Sequence, residues 1–173
     1  MRDFEGKRID ATRAVQGYQG TWYDGMNSQL RGTAKRDFYD VPIDLMRQAI
    51  DAAPVNRESF VAFRGLSGDV AELFMTAKPG DVLPDAGFMS MSYREATAKY
   101  FHYSTKNVTF EIIVPEGTKG IDMSGFFWNE NSINLERVVY TEREFVAQAG
   151  SRLEVLEVDT ENRRIKAVLK QNG

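Results

Sequence analysis

An α+β architecture, helices first and strands after, is what the order of patterns along this sequence predicts. Three observations carry it. Apolar residues near the start recur at helical spacing. Most segments after position 59 read as short strands. The strands do not alternate regularly with helices, as a parallel βαβ sheet would require. With 173 residues, 42% of them apolar and 12% aromatic, the chain has enough apolar material for one packed domain and is not a disordered chain. The expected division is a helical segment over 1–58 and a mainly β core over 59–173 within a single domain.

The elements follow in order. Val15, Tyr18, Trp22, Met26 and Leu30 recur at three- and four-residue intervals. Gly17, Gly20 and Gly25 interrupt them, which predicts short helices rather than one rod. A second helix is expected over 40–53, with Asp40 as N-cap, Pro42 in its first turn and Pro54 past its end. Phe60 to Arg64 reads as a strand and Asp69 to Ala77 as a helix closed by Pro79-Gly80. Ala86 to Ser92 reads as a strand and Tyr93 to His102 as a helix. Val108 to Val114, Val138 to Ala147, Arg152 to Val158 and Arg164 to Lys170 complete the strands. The last two form a hairpin around residues 160–163.

Composition excludes several chemistries. There is no cysteine, so disulfides, thiolate metal sites and cysteine nucleophiles are all absent. The one histidine, His102, cannot build a multi-histidine metal centre, and at a helix end it reads as a terminal residue rather than a catalyst. Twenty-two basic against 25 acidic residues give a charge of -3 without a basic stripe, which argues against a nucleic-acid partner. No apolar run reaches membrane-spanning length and no signal segment opens the chain, so a soluble protein without a membrane partner is expected. The opening Met1-Arg2-Asp3 lies close to structured sequence, which leaves open a domain of something longer.

Three motifs could carry chemistry. On the strand 138–147, alternation would put Glu142 and Glu144 on one face, with α-carbons roughly 6.5–7 Å apart. Paired carboxylates suit a reaction through a cationic transition state, although a solvated strand face accounts for the same pattern. In Phe88-Met89-Ser90-Met91-Ser92 the two serines share one face and the methionines the other. Ser92-x-x-Glu95 is also a capping box for the following helix, which leaves Ser90 without a local reason. Arg64-Gly65 closes an apolar strand. A guanidinium there needs an anionic partner or a route to water, and it can grip a phosphate through two parallel hydrogen bonds. The glycine lets a ligand approach the backbone.

Taken together and in this order, Arg-Gly, Phe-x-Ser-x-Ser and Glu-x-Glu resemble the bacterial-toxin and phage branch of the ADP-ribosyltransferases. The resemblance extends to Tyr18, Tyr23, Asn27 and Leu30-Arg31-Gly32, to Val114-Pro115-Glu116-Gly117, and to the strand after Gly150-Ser151. It therefore covers most of the chain. It implies two packed, mostly antiparallel sheets forming an NAD cleft, preceded by helices. It implies NAD as substrate, no metal, and a target protein modified on arginine with release of nicotinamide. By that resemblance Arg64 holds the NAD phosphates and the nicotinamide-side ribose, and the Gly65 backbone pairs with the nicotinamide amide. Ser90 orients the catalytic glutamate and Ser92 supports the site. Glu144 stabilises the oxocarbenium ion, and Glu142 positions the attacking guanidinium. Relatives with glutamine at that place modify asparagine or glutamine, so Glu142 favours arginine. Tyr18, Tyr23 and Asn27 belong to the cofactor-binding side.

There are departures. Met91 stands where threonine is usual. Glu111 stands where some relatives have a basic residue, so Lys99 or Lys106 could supply the phosphate contact. The stretch 124–131, with Phe126, Phe127 and Trp128, is longer than expected; these aromatics either pack on the sheet or meet a protein substrate. Tyr140 precedes Glu142 by two residues rather than three. The expected setting is a secreted or phage-delivered effector acting in a target cell's cytoplasm, with an immunity protein if bacteria produce it as a toxin. The rivals are an NAD glycohydrolase or nucleic-acid ADP-ribosyltransferase with the same site, and a catalytically silent partner-binding module.

Overall fold

The computed structural model describes residues 8–34, 38–100, 105–125 and 143–171. Helix α1 (Ala11–Gly17) opens on Asp10, whose carboxylate accepts from the Arg13 N–H at 2.9 Å as an N-cap. The chain then runs through a π-helical turn, Tyr18–Trp22, into α2 (Tyr23–Leu30) without leaving helical backbone angles. The glycines therefore do not split this segment, contrary to the expectation of separate short helices. They make room instead. A side chain at Gly17 would collide with the Trp22 ring, and one at Gly25 with the Tyr39 ring. The π turn rotates the later residues relative to α1, and Val15, Tyr18, Trp22 and Met26 end in one apolar cluster.

Helix α3 (Asp40–Ala52) stops where Ala53 takes an extended ψ of 147° ahead of Pro54. Its N-cap is Tyr39, one residue before the expected Asp40. The Asp40 carboxylate accepts from Gln29 Nε2 at 2.5 Å instead. Ile43, Met46 and Ile50 bury one face of α3 against α1.

The strands are β1 (Phe60–Ser67), β2 (Val82–Pro84), β3 (Met89–Ser92), β4 (Asn107–Val114), β5 (Gly120–Asp122), β6 (Glu144–Ala147), β7 (Arg152–Asp159) and β8 (Arg164–Lys170). Short helices α4 (Asp69–Phe74) and α5 (Glu95–Tyr100) lie between them. Among the described residues the strands order as β2-β7-β8-β4-β1-β3-β6-β5. β4 and β8 are parallel and the other pairings antiparallel. The two expected sheets are thus two arms of one hydrogen-bonded order. Five strands meet three at a single register pair, Phe63 with Ser92. The arms enclose the main core, in which Met89, Met91 and Phe145 pack with Phe110, Ile112, Val155 and Ile165.

Two short strands, β2 and β5, were not anticipated; each has three residues, too few to show a period. The expected strand over 138–147 is described only from Glu144. Arg143 before it has φ 39°, so the alternation of side chains does not continue through that residue. Val138 to Thr141, His102, Phe126, Phe127 and Trp128 lie outside the described residues.

Candidate active site

The site begins at the seam between the two arms. β1 and β3 touch at Phe63 and Ser92 and then separate, and Arg64, Gly65 and Leu66 line the cleft they leave. Alternation on β3 sends Met89 and Met91 into the core and turns Ser90 and Ser92 towards the N-terminal helices. On β6, Glu144 stands opposite Ser92 and Val146 opposite Ser90, so the carboxylate shares the serines' face. The opposite wall comes from the helical segment. Tyr18, Tyr23, Asn27, Arg64, Gly65, Ser90, Ser92 and Glu144 all line this one cleft. Of the catalytic and cofactor-binding residues proposed from sequence, Glu142 lies outside the described residues.

Tyr18 is 1% exposed, and its phenol oxygen lies 3.0 Å from Ser90 Oγ and 3.4 Å from the Phe88 carbonyl. Asn27 Nδ2 donates to it at 3.1 Å, while Asn27 Oδ1 accepts from the Phe88 N–H at 2.8 Å. These bonds fasten α2 to β3 at the Phe-x-Ser-x-Ser segment. Burial pushes the Tyr18 phenol up to about 12, and the nearby Glu144 charge adds to the effect. Tyr23 is half exposed at the cleft.

Arg64 is held deep in the site. Burial lowers its guanidinium from the ordinary value, and the Asp85 carboxylate, 3.4 Å away, opposes that shift. Its Nη1 is buried with no hydrogen-bond partner among the described residues. Asp85 also receives both ends of the Arg31 guanidinium at 2.8 Å and accepts from the Gly87 N–H at 2.9 Å. Burial alone would raise the Asp85 carboxyl, but the Arg31 hydrogen bonds and the Arg64 charge hold it below its ordinary value. Neither Asp85 nor a role for Arg31 was singled out by the sequence motifs. Asp85 lies five residues before Ser90, and its significance appears only when α2, β1 and the turn before β3 converge.

One sequence expectation changes. Lys99 pairs with Glu95 at 2.8 Å and Lys106 with Asp69 at 3.2 Å, and neither lines the cleft. Arg31 is the second cation there. Glu111 does not line the cleft and takes Arg164 at 2.6 Å. The Ser92 hydroxyl accepts from the Arg94 N–H at 3.1 Å, which turns the chain towards α5. No group of three or more His, Asp or Glu residues able to hold a metal ion occurs among the described residues.

A sequence model of the family described as ADP-ribosyltransferase exoenzyme matches residues 8–172. No curated protein sequence matches the chain. Among solved structures it is similar to exoenzyme S from Pseudomonas aeruginosa, in a complex with human 14-3-3 protein beta and carba-NAD. That match has a TM-score of 0.69 and 22% identity and covers 92% of this chain and 72% of that one. The Vis toxin of Vibrio splendidus, in a complex with agmatine, matches with TM-score 0.65 and 18% identity over 93% of this chain and 74% of that one. Plx2a of Paenibacillus larvae matches with TM-score 0.69 and 15% identity over 98% and 88%.

Proposed function

The chain belongs to the ADP-ribosyltransferase exoenzyme family, and from that premise we propose that it transfers ADP-ribose from NAD to an arginine of a target protein, as a toxin or phage-delivered effector. The observation that carries the reading is the Arg64 guanidinium. It is buried in the cleft with Nη1 unpartnered and shares that cleft with Ser90 and Glu144. A buried donor without a partner costs free energy, and a phosphate oxygen of NAD would satisfy it. Arg31, at the end of α2 and sharing Asp85 with Arg64, is placed to meet the second phosphate once its hold on Asp85 loosens.

The chemistry then follows from charge. The bond between ribose C1' and the nicotinamide nitrogen breaks with its electron pair going to nicotinamide, which leaves neutral. The sugar is left as an oxocarbenium cation. Glu144 supplies a fixed negative charge where that cation forms. Water is less concentrated in such a cleft than in solvent, and an acceptor held in line reacts in its place. For arginine, a guanidinium nitrogen attacks C1' and gives up a proton. Glu142 is the residue proposed to anchor the guanidinium and take that proton, because a free guanidinium stays protonated. The agmatine bound to Vis is itself a guanidine, which supports this choice of acceptor.

The test is incubation of the wild type, Glu144→Ala and Glu142→Ala with labelled NAD and target-cell lysate, followed by mass spectrometry. Glu144→Ala should lose both nicotinamide release and protein labelling. Glu142→Ala should lose labelling and keep part of the NAD cleavage. Label on a residue other than arginine would overturn the acceptor, and label destroyed by RNase would move it to nucleic acid. Equal loss of both activities in Glu142→Ala would remove the role given to that residue.

A further inference from the structure

Asn27, Tyr18 and Ser90 form a chain of hydrogen bonds whose first link is fixed in direction by one backbone group. The Phe88 N–H can only donate, so the Asn27 atom 2.8 Å from it must be the carbonyl oxygen. That places the Asn27 amide nitrogen, a donor, 3.1 Å from the Tyr18 oxygen. The phenol therefore accepts from Asn27, and its single proton must go elsewhere. Ser90 Oγ at 3.0 Å is a closer acceptor than the Phe88 carbonyl at 3.4 Å. A Tyr18 proton placed on Ser90 leaves the serine hydroxyl its own proton to give. The anionic side chain on the same face is Glu144, two register pairs along the β3–β6 ladder and lining the same cleft.

We propose that Tyr18 and Asn27 are positioning residues, which act through Ser90 by orienting its hydroxyl proton onto the Glu144 carboxylate. Burial agrees with this. Tyr18 is 1% and Asn27 6% exposed, and Asn27 spends both ends of its amide inside the protein. The half-exposed Tyr23 has the free surface that a ring stacking on a ligand needs. The two tyrosines of the helical segment therefore have different tasks, although the sequence treats them alike. The proposal rests on Glu144 being the residue that faces the ribosyl cation, and its test does not need turnover.

Asn27→Asp keeps the acceptor for the Phe88 N–H but replaces the donor to Tyr18 by a carboxylate. The phenol proton then turns to residue 27, Ser90 turns its proton to the phenol oxygen, and Glu144 loses its donor. Tyr18→Phe and Ser90→Ala break the same chain at its other links. The measurement is the carboxyl titration of Glu144 by carbon-13 NMR, assigned with Glu144→Gln. In all three variants the midpoint should rise by about one pH unit, because a hydrogen bond to the charged form is lost. In steady-state assays, kcat should fall roughly tenfold while KM for NAD changes little. Pairing Tyr18→Phe with Asn27→Asp should add little to either single change, since both act on one chain. If Tyr18→Phe is too unstable to study, Asn27→Asp and Ser90→Ala carry the titration.

An unchanged Glu144 midpoint in Ser90→Ala and Asn27→Asp overturns the proposal. So does a rise in KM at constant kcat in Tyr18→Phe, which would make Tyr18 a direct NAD ligand. Midpoints that shift in the variants of a protein whose wild type cleaves no NAD would uphold the hydrogen-bond chain and defeat the enzymatic reading.

Discussion

Tyr18 connects stability to pH in a way that can be worked out in sign. Burial raises its phenol from 10.0 to about 12 in the folded protein. Below pH 10 both folded and unfolded chains hold the proton, and the group has no pH-dependent effect. Between pH 10 and 12 the unfolded chain releases it while the folded chain retains it. Stability therefore falls as pH rises through that window, by up to ~3 kcal/mol for this group. Urea melts at pH 8 and pH 11 should show a smaller loss in Tyr18→Phe than in the wild type; an equal loss in both would remove Tyr18 as a source. Arg64 gives a second residue-level expectation. Lysine keeps the charge but loses the planar fork, so Arg64→Lys should raise KM for NAD at least about tenfold. Titration calorimetry with an NAD analogue checks whether the loss lies in binding. Arg64, Ser90 and Glu144 could be found from sequence because each sits in a short motif. Asp85 could not, since an acidic residue in a Pro-Asp-Ala turn is ordinary until two arginines from distant segments close on it.

At the scale of elements, the helical segment shows what local pattern reveals and what it hides. The spacing of Val15, Tyr18, Trp22 and Met26 made the helix legible, and Pro54 marked the end of α3. Three glycines suggested breaks, because a lone sequence cannot distinguish a glycine needed for a turn from one needed for space. Gly17 tests the difference. Its helical φ of -62° suits any residue, and alanine is the better helix former. The Trp22 ring nevertheless fills the position a methyl group would take. Gly17→Ala should therefore destabilise the fold by about 1–3 kcal/mol, as overpacking does, against the gain of roughly 1 kcal/mol that propensity alone predicts. Chemical denaturation reads the sign directly, and a stabilised variant would mean the ring moves aside freely. The same limit explains β2 and β5. Three-residue strands are made by their partners, β7 and β6, rather than by their own sequence. Glu142 and Glu144 show the converse: the motif was visible, but the strand geometry used to join them stops at Arg143, whose φ of 39° its residue type does not foretell.

For the whole molecule, the cleft is a consequence of how the sheet divides. The three-strand arm joins the five-strand arm at one pair, Phe63 and Ser92, and beyond it the strands separate to leave Arg64 on one side and Ser90 with Glu144 on the other. The helical segment closes the remaining wall through Asn27 and Tyr18. Arg31 and Asp85 tie the end of α2 to the turn before β3 and to β1. A dinucleotide bound in this cleft as proposed would touch all three parts at once, and its binding energy would add to the cohesion between them. A ligand present at a hundred times its dissociation constant stabilises the folded state by about 2.7 kcal/mol. For a chain of this size that corresponds to a rise in Tm of roughly 5–10 °C. Thermal melts with carba-NAD, the analogue bound to exoenzyme S, should show this rise in the wild type. At the same ligand concentration the rise should be mostly lost in Arg64→Lys, while Glu144→Gln should keep it, because the role proposed for the glutamate is towards a cation that carba-NAD does not form. Equal rises in the wild type and Arg64→Lys would place the phosphates away from the seam, and the cleft would then have to be filled in another orientation.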